Sequence, residues 1–424
     1  MPNTAPKHIA VIGCGIVGAC SALALLRDGH RVTIIEPGEP GDRQAASYGN
    51  GAFLSPASII PMSVPGLWKK VPAYLLDPEG PLTIRWGHLL PLAPWLLRFL
   101  SAGSTLAKVQ RTAKILSSLL SDAPMRHRAI AADCGQADMI RQDGLLYVYP
   151  DRASFEADAF AWGLRRDNSV AWRELSGEEL HAFEPSLNRR YTFAAFVEAG
   201  GHCVDPGAYV SLLVQRALGK GARLVKAGAT GFRIKDGRLT AVDTDAGPIE
   251  CDGAVIAAGI RSKALAKMVG DRIPLESERG YHVEVVDPKT GPRIPIMPSD
   301  GKMANTMMPG RLRASGQVEL ASVDAAPDWR RADILLRQLL STYPDLGKNP
   351  EDMTVLRWQG NRPSTPDGLP VISRSSATAD IMHAFGHGHV GLAAGPKTGE
   401  LVAASFSRRP PPIGIGPFAA SRFR

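Results

Sequence analysis

Apolar positions along the chain fall into three patterns, each predicting a different kind of element. The first is the short unbroken run. "HIAVIGCGIVGACSALALLRDGHRVTIIE", residues 8–36, reads as a buried strand, a glycine turn, a helix and a second strand. Its uncharged part has the look of a membrane anchor or a signal segment. Three glycines in its first half and the turn and strand that follow argue for strand–turn–helix instead. "CDGAVIAAGIRSKAL", 251–265, repeats the theme, a buried strand opening a helix. The second pattern is helical spacing. Leu106, Val109, Leu116, Leu119 and Leu120 predict one long helix over 103–133, and 328–344 predicts another. Residues 201–234 read as turn, helix and strand. The third is alternation. "DGLLYVYP" (143–150), "LESERGYHVEVV" (275–286) and "MMPGRLRASGQVELASVD" (307–324) predict antiparallel strands, the last with a turn at "GRLRASG".

Composition narrows the classes. At 424 residues the chain exceeds one ordinary core, and 44% apolar with 21% charged residues fits a globular protein. The net charge of +8 is spread out, with no Lys/Arg run longer than a pair and no interleaved aromatics, so a generally basic surface is expected and no nucleic acid partner. Five cysteines, an odd number without a CxxC pair, predict neither a disulfide framework nor a metal site, and a reducing compartment. "LLPLAPWLLRFLS", 89–101, is apolar but short and split by two prolines. It reads as an amphipathic cover, with a shallow peripheral membrane contact as the alternative.

The candidate chemistry begins at Gly13-x-Gly15-x-x-Gly18. Gly13 permits the sharp turn, Gly15 the approach of a pyrophosphate, and Gly18 close packing of helix on strand. The amides that open the helix, at Ile16 and Val17, add the positive end of its dipole. Glu36 ends the second strand about 20 residues on, where an acid meets a ribose; this favours FAD or NAD over NADP. The loop that follows, "PGEPGDRQAASYGNGAFLSP", offers Ser47, Asn50, Gly51 and Ala52, small enough for backbone to lie against a flat ligand. Far along the chain, "GNRPSTPDGLPVI" (360–372) reads as a rigid turn that carries a single arginine, Arg362.

These motifs, together with "RGYHVEV" and "GHGHVGLAAGPKTGELVA", occur in an order that resembles the FAD-dependent D-amino-acid oxidoreductases. The bacterial D-amino-acid dehydrogenases are the nearest branch, with glycine oxidase and sarcosine oxidase as relatives, and the resemblance runs over nearly the whole chain. It implies an α/β chain of α+β two-domain organisation, a Rossmann-like FAD-binding domain interleaved with an antiparallel-sheet substrate domain. The FAD-binding parts would be 1–60, 196–270 and 355–424, and the substrate parts 61–195 and 271–354. Residue by residue, it implies that Gly13, Gly15 and Gly18 hold the diphosphate and Glu36 the ribose, with Ser47, Asn50, Gly51 and Ala52 along the flavin and Ala257 and Gly259 closing the far side. Gly388, Val390, Gly391 and Leu392 would present N–H groups to the flavin carbonyls, joined by Thr398. Arg362 would bind a substrate carboxylate. Tyr281 would hydrogen-bond the substrate, and His389, where some relatives carry a second arginine, would face the amine; His387 reads as structural. Relatives with covalent flavin use a cysteine near "TPDG"; Gly360 stands in that neighbourhood here, so noncovalent FAD is expected.

The implied reaction is hydride transfer from Cα of a D-amino acid, or of a cyclic imino acid such as proline or hydroxyproline. A quinone or carrier is expected as electron acceptor rather than O2, in a cytoplasmic protein, with peripheral contact on the cytoplasmic side of a membrane as the alternative. A 2-hydroxy-acid FAD oxidoreductase and a flavoprotein subunit of a heteromeric dehydrogenase are the alternatives, with a nicotinamide dehydrogenase behind them.

Overall fold

The computed structural model describes residues 5–69, 80 and 82–424. A six-stranded sheet runs in the order Arg223–Val225, Arg31–Ile35, His8–Ile12, Gly253–Ile256, Ile381–Phe385, Val371–Arg374, parallel except for the last pair. Parallel strands are covered on both faces, which is why these segments read as unbroken apolar runs. Helix Ile16–Arg27 lies under helix Gly391–Phe406. The two approach so closely that a Cβ on Gly399 would stand 2.6 Å from the Cys20 carbonyl oxygen, and one on Gly395 2.9 Å from Ile16 Cγ1.

A nine-stranded, mostly antiparallel sheet forms the other half. Its order is Val355–Ser364, Glu276–Val286, Arg311–Leu320, Ala304–Met308, Ile296–Pro298, Leu145–Tyr149, Phe193–Val197, Arg173–Ser176, with Leu82–Ile84 added alongside Arg311–Leu320. Side chains alternate across it. On one face Tyr281, Val283 and Val285 pack with Leu335 and Leu339 of helix Arg330–Thr342. The other face meets the loop that follows the first β–α–β unit. There Arg313 Nη1 donates to the Tyr48 and Asn50 carbonyls at 2.7 and 2.8 Å, and Thr306 Oγ1 to that of Gly51 at 2.8 Å.

Four expectations need correction. The long helix over 103–133 is two, Leu106–Leu120 and Ala123–Asp133. Pro124 lacks the N–H that would continue the first, and serves instead in the opening turn of the second. The turn expected at "GRLRASG" is only Pro309–Gly310, with Gly310 at φ +66° and Met308 paired to Arg311, so the rest of that segment is strand. "GNRPS" is likewise strand, paired along its length with Glu276–Ser277 and onward; Pro363 is tolerated because this is an edge strand. Val355–Ser364 therefore belongs to the antiparallel sheet, and the boundary drawn at 355 falls about ten residues early. A small sheet of Phe53–Leu54, Gly201–Cys203 and Ile140–Arg141 also ties together segments that had been assigned to different domains.

Helix Leu89–Ala102 is a cover, as expected, with Pro94 inside it. Its inner face holds Leu92 and Trp95, and Trp95 Nε1 donates to the Ser364 carbonyl at 3.2 Å while stacking on Phe99. Its outer face is not polar: Leu90 is 86% and Leu97 70% exposed, beside Trp86 at 78%. No single helix among the described residues is long and apolar enough to cross a membrane.

Candidate active site

The cradle forms at the carboxyl ends of the central parallel strands, where open α/β sheets take their ligands. Gly13 adopts φ +93°, and a Cβ there would stand 2.6 Å from the Ala257 carbonyl oxygen; one on Gly18 would stand 2.0 Å from that of Gly13. Only hydrogen fits at either place. A Cβ on Gly15, by contrast, would meet just Ser47 Oγ at 3.3 Å, so Gly15 leaves the approach to the helix end open. Glu36 Oε2 accepts from the Cys14 amide at 2.9 Å and its Oε1 from Gly38 at 3.2 Å, holding the turn against the end of the second strand. Ile16 N–H donates to Ser47 Oγ at 3.0 Å; Val17 lies in the same first turn. Asn50 Oδ1 accepts from Ala52, which sits at φ +68°, and the carbonyls of Tyr48, Asn50 and Gly51 point to the antiparallel sheet. The Gly51 N–H has no acceptor among the described residues. The loop thus turns its acceptors away and keeps donors for a ligand. Ala257 and Ala258 stand beside Gly13, and Gly259 follows at φ +56°.

The third wall is the turn before the last helix. Gly386 and Gly388 take φ +82° and +53°, and Gly388 N–H donates to the Pro363 carbonyl at 2.9 Å. Val390 caps the helix that begins at Gly391, with Leu392 buried in its first turn, so its positive end faces the cleft. Thr398 departs from expectation. It lies two turns down the helix, fully buried, with its hydroxyl 3.0 Å from His387 Nε2, so it supports the turn from behind. Burial pulls the His387 pKa down to about 3.

Across the cleft stands Arg362. It is the register partner of Glu278, so both side chains leave the same face of the sheet. The guanidinium then swings away from Glu278 over Gly280, where a Cβ would stand 2.2 Å from Cζ. Nη1 donates to the Gln317 carbonyl at 3.0 Å and Nη2 to that of Gly316 at 3.3 Å. Those carbonyls turn outward at an irregularity in the pairing of strand Arg311–Leu320, where Gln317 takes φ +56°. Burial lowers the Arg362 pKa and Glu278 opposes the shift; the guanidinium stays charged. Glu278, His389 and Ser364 line one cavity with Ser63, Phe99 and Thr112. His389 is open to that cavity, yet the surrounding protein, and secondarily Arg362, hold its pKa down to about 4, which leaves a neutral imidazole near pH 7.

Tyr281 is not brought to this site. It belongs to the opposite face, fully buried, with its hydroxyl donating to Glu319 Oε2 at 2.6 Å and accepting from Asp328 N–H at 2.9 Å. Burial, reinforced by Glu319, pushes its pKa up to about 12. Odd and even positions of a strand face opposite ways, and Arg362 pairs with an even one. Sequence reasoning had missed Glu278, Gly280 and Ser364; the parity of "ESERGYH" against "GNRPS" would have found them, had the register been known.

A glycine cradle at the strand ends, faced by a fixed cation across a cleft, is the layout of a dinucleotide-dependent oxidoreductase. The chain belongs to the DAO family of FAD-dependent oxidoreductases, whose sequence model matches residues 8–405. It is 50% identical over 417 residues to a D-amino-acid oxidase of Bradyrhizobium diazoefficiens, covering 98% of this chain and 99% of that one. It is 30% identical to a D-amino acid dehydrogenase of Paramagnetospirillum magneticum, covering 98% of each. Among solved structures, glycine oxidase from Geobacillus kaustophilus superposes with a TM-score of 0.75 at 22% identity, over 99% of both chains. The cofactor is FAD, and the steric demands at Gly13 and Gly18, the open approach at Gly15 and the free donor at Gly51 fit it.

Proposed function

We propose that the protein oxidises the Cα–N bond of a D-amino acid, or of a cyclic imino acid such as proline or hydroxyproline, to an imine. With an open-chain substrate the imine hydrolyses to a 2-oxo acid and ammonia. The observation that carries this is Arg362, a guanidinium preset by two backbone carbonyls over a glycine, with donors left for a carboxylate. The names of the relatives support the D-amino acid. FAD, held noncovalently, supplies the hydride acceptor. Gly13, Gly15, Gly18, Ser47, Asn50, Gly51 and Ala52 would bind its nucleotide and isoalloxazine, Glu36 its ribose. The helix end at Gly388–Leu392 would stabilise negative charge on the reduced ring. Arg362 orients the substrate so that Cα–H faces the cleft, and helix Leu89–Ala102 excludes water. Neutral His389 would accept a hydrogen bond from the substrate amine.

For the acceptor we propose a quinone or protein carrier, supported by the apolar outer face at Trp86, Leu90 and Leu97. The oxidase name of the 50% identical relative supports O2 instead. Oxygen uptake by the purified protein, set against reduction of a quinone in vesicles, separates the two. The reaction itself is tested by anaerobic titration with D- and L-amino acids, glycine, sarcosine, hydroxyproline isomers and 2-hydroxy acids. Bleaching of the flavin by amino acids, with ammonia released from primary amines, is the expected result. Bleaching by 2-hydroxy acids alone would overturn it.

A further inference from the structure

Glu278 is a buried carboxylate that makes no direct ion pair among the described residues. It is 6% exposed, it lines the cleft, and among the described residues no cation comes within ion-pairing distance. Its register partner would ordinarily supply one, but Arg362 is drawn off over Gly280 by the Gly316 and Gln317 carbonyls. The Ser364 hydroxyl, buried on the same wall, meets no acceptor in hydrogen-bond geometry, although it lies near enough to Glu278 to help stabilise its charge. A carboxylate buried without a direct ion pair is costly, even with Arg362 and Ser364 near enough to offset part of that cost. The arrangement makes sense with a cationic group seated between the two residues. An α-amino acid carries a carboxylate and an ammonium on one carbon. Arg362 and Glu278, on one face and held apart, match that pair of charges.

We propose that Glu278 receives the ammonium of the substrate whose carboxylate Arg362 holds, and takes its proton before oxidation. The inference rests on the amino-acid reading above and adds the base to it. The proton moves from nitrogen to a Glu278 carboxylate oxygen. The Cα–H bond then breaks with its electron pair passing to the flavin as hydride, and the freed nitrogen lone pair closes the C=N bond. Glu278 returns its proton to solvent as the product leaves. Burial raises the Glu278 pKa, against the pull of Arg362 and Ser364, which suits a carboxylate that must accept a proton near neutrality. The other titratable groups around the cavity are His389 and His387 of the glycine turn and Asp367 of the turn beyond Ser364. The cover and its neighbouring segments contribute Phe99, Thr112, Leu116 and Ser63, none charged near pH 7.

The test is rapid anaerobic mixing of the flavin-loaded protein and its Glu278→Gln variant with a reactive amino acid across pH, with binding of propanoate followed by flavin absorbance. The variant should reduce its flavin about 100-fold more slowly near pH 7, within the usual range for loss of a general base. Its rate should recover as pH rises and free amine accumulates, while propanoate binds as before or more tightly. Glu278→Asp, which keeps the carboxylate, should restore part of the rate, and it carries the same comparison if Gln impairs folding. An unchanged rate and pH profile would overturn the proposal alone. So would a loss confined to substrates with a cationic side chain, which would make Glu278 a specificity group. If no amino acid bleaches the unsubstituted protein, the amino-acid reading falls and the inference with it.

Discussion

On the nucleotide side of the cleft a single added methyl is intolerable: at Gly18 it would lie 2.0 Å from a carbonyl oxygen, and the groups offered to the ligand are mostly backbone N–H. On the proposed substrate side the groups presented are side chains, Arg362, Glu278 and Ser364, delivered by strand pairing and by the irregularity at Gly316–Gln317. One wall depends on what the chain leaves out. The other depends on which residues the register brings opposite one another. The first kind of wall is marked locally by glycine; the second is a long-range product of the fold.

The largest expected effect breaks the substrate wall. Arg362→Ala should lower kcat/KM by the equivalent of about 2–5 kcal/mol, the range for stripping a partner from a buried charge-assisted pair. Flavin content should be unchanged, checked by steady-state kinetics alongside absorbance. Gly18→Ala should do the reverse. Overpacking costs about 1–3 kcal/mol, and the loss should show as released flavin and a lower Tm, with residual holoprotein retaining its KM.

Acid should also loosen the nucleotide side. His387 and His127, the latter 2.8 Å from the Leu392 carbonyl, are enclosed, and burial holds their pKa values down to about 3 and about 4. The unfolded chain takes up these protons near pH 6.5 and the folded one does not. Stability is therefore complete above that pH and falls by about 1.4 kcal/mol per pH unit per histidine below it, until the folded pKa is reached. Fluorescence of released flavin between pH 6.5 and 4.5 should report this.

Tyr281→Phe distinguishes the two faces of one strand. It removes a buried hydrogen bond to Glu319, which keeps Arg85 and Arg279 nearby, so about 1 kcal/mol of stability should be lost while kcat/KM stays within twofold. A large kinetic effect would return Tyr281 to the active site. The smallest effect lies outside both walls. Leu90→Ser should change stability by less than about 0.5 kcal/mol, yet lower co-sedimentation with lipid vesicles if the apolar outer face serves an acceptor in the membrane.

The same contrast explains what could be read from the sequence. The first β–α–β unit was legible because its glycines stand close together in sequence and Glu36 closes that unit, although the contact that demands Gly13 is made with the distant Ala257. Arg362 was legible as a residue but not as geometry. Three prolines and two glycines suggested a turn, whereas pairing with Glu276–Val286 imposes a strand. Glu278 was invisible because its significance arises only when its partner turns away. Tyr281 was misplaced for a related reason: strand assignment gives alternation but not which parity faces the cleft. Thr398 was misassigned because two helical turns carried it behind the glycine turn instead of beside it.

The close fit of helix Gly391–Phe406 on Ile16–Arg27 bears on how the protein is made. The strand at residue 8 has its neighbour at 253, and that strand has its own at 381. A nascent chain leaving the ribosome therefore holds its first helix for most of its synthesis without the glycine-faced partner that covers it. Until the last segment emerges, that apolar surface has only solvent or a chaperone to meet, and the nucleotide site lacks one wall. The nucleotide site is therefore not whole until the strand at Ile381–Phe385 and the helix at Gly391–Phe406 have been added.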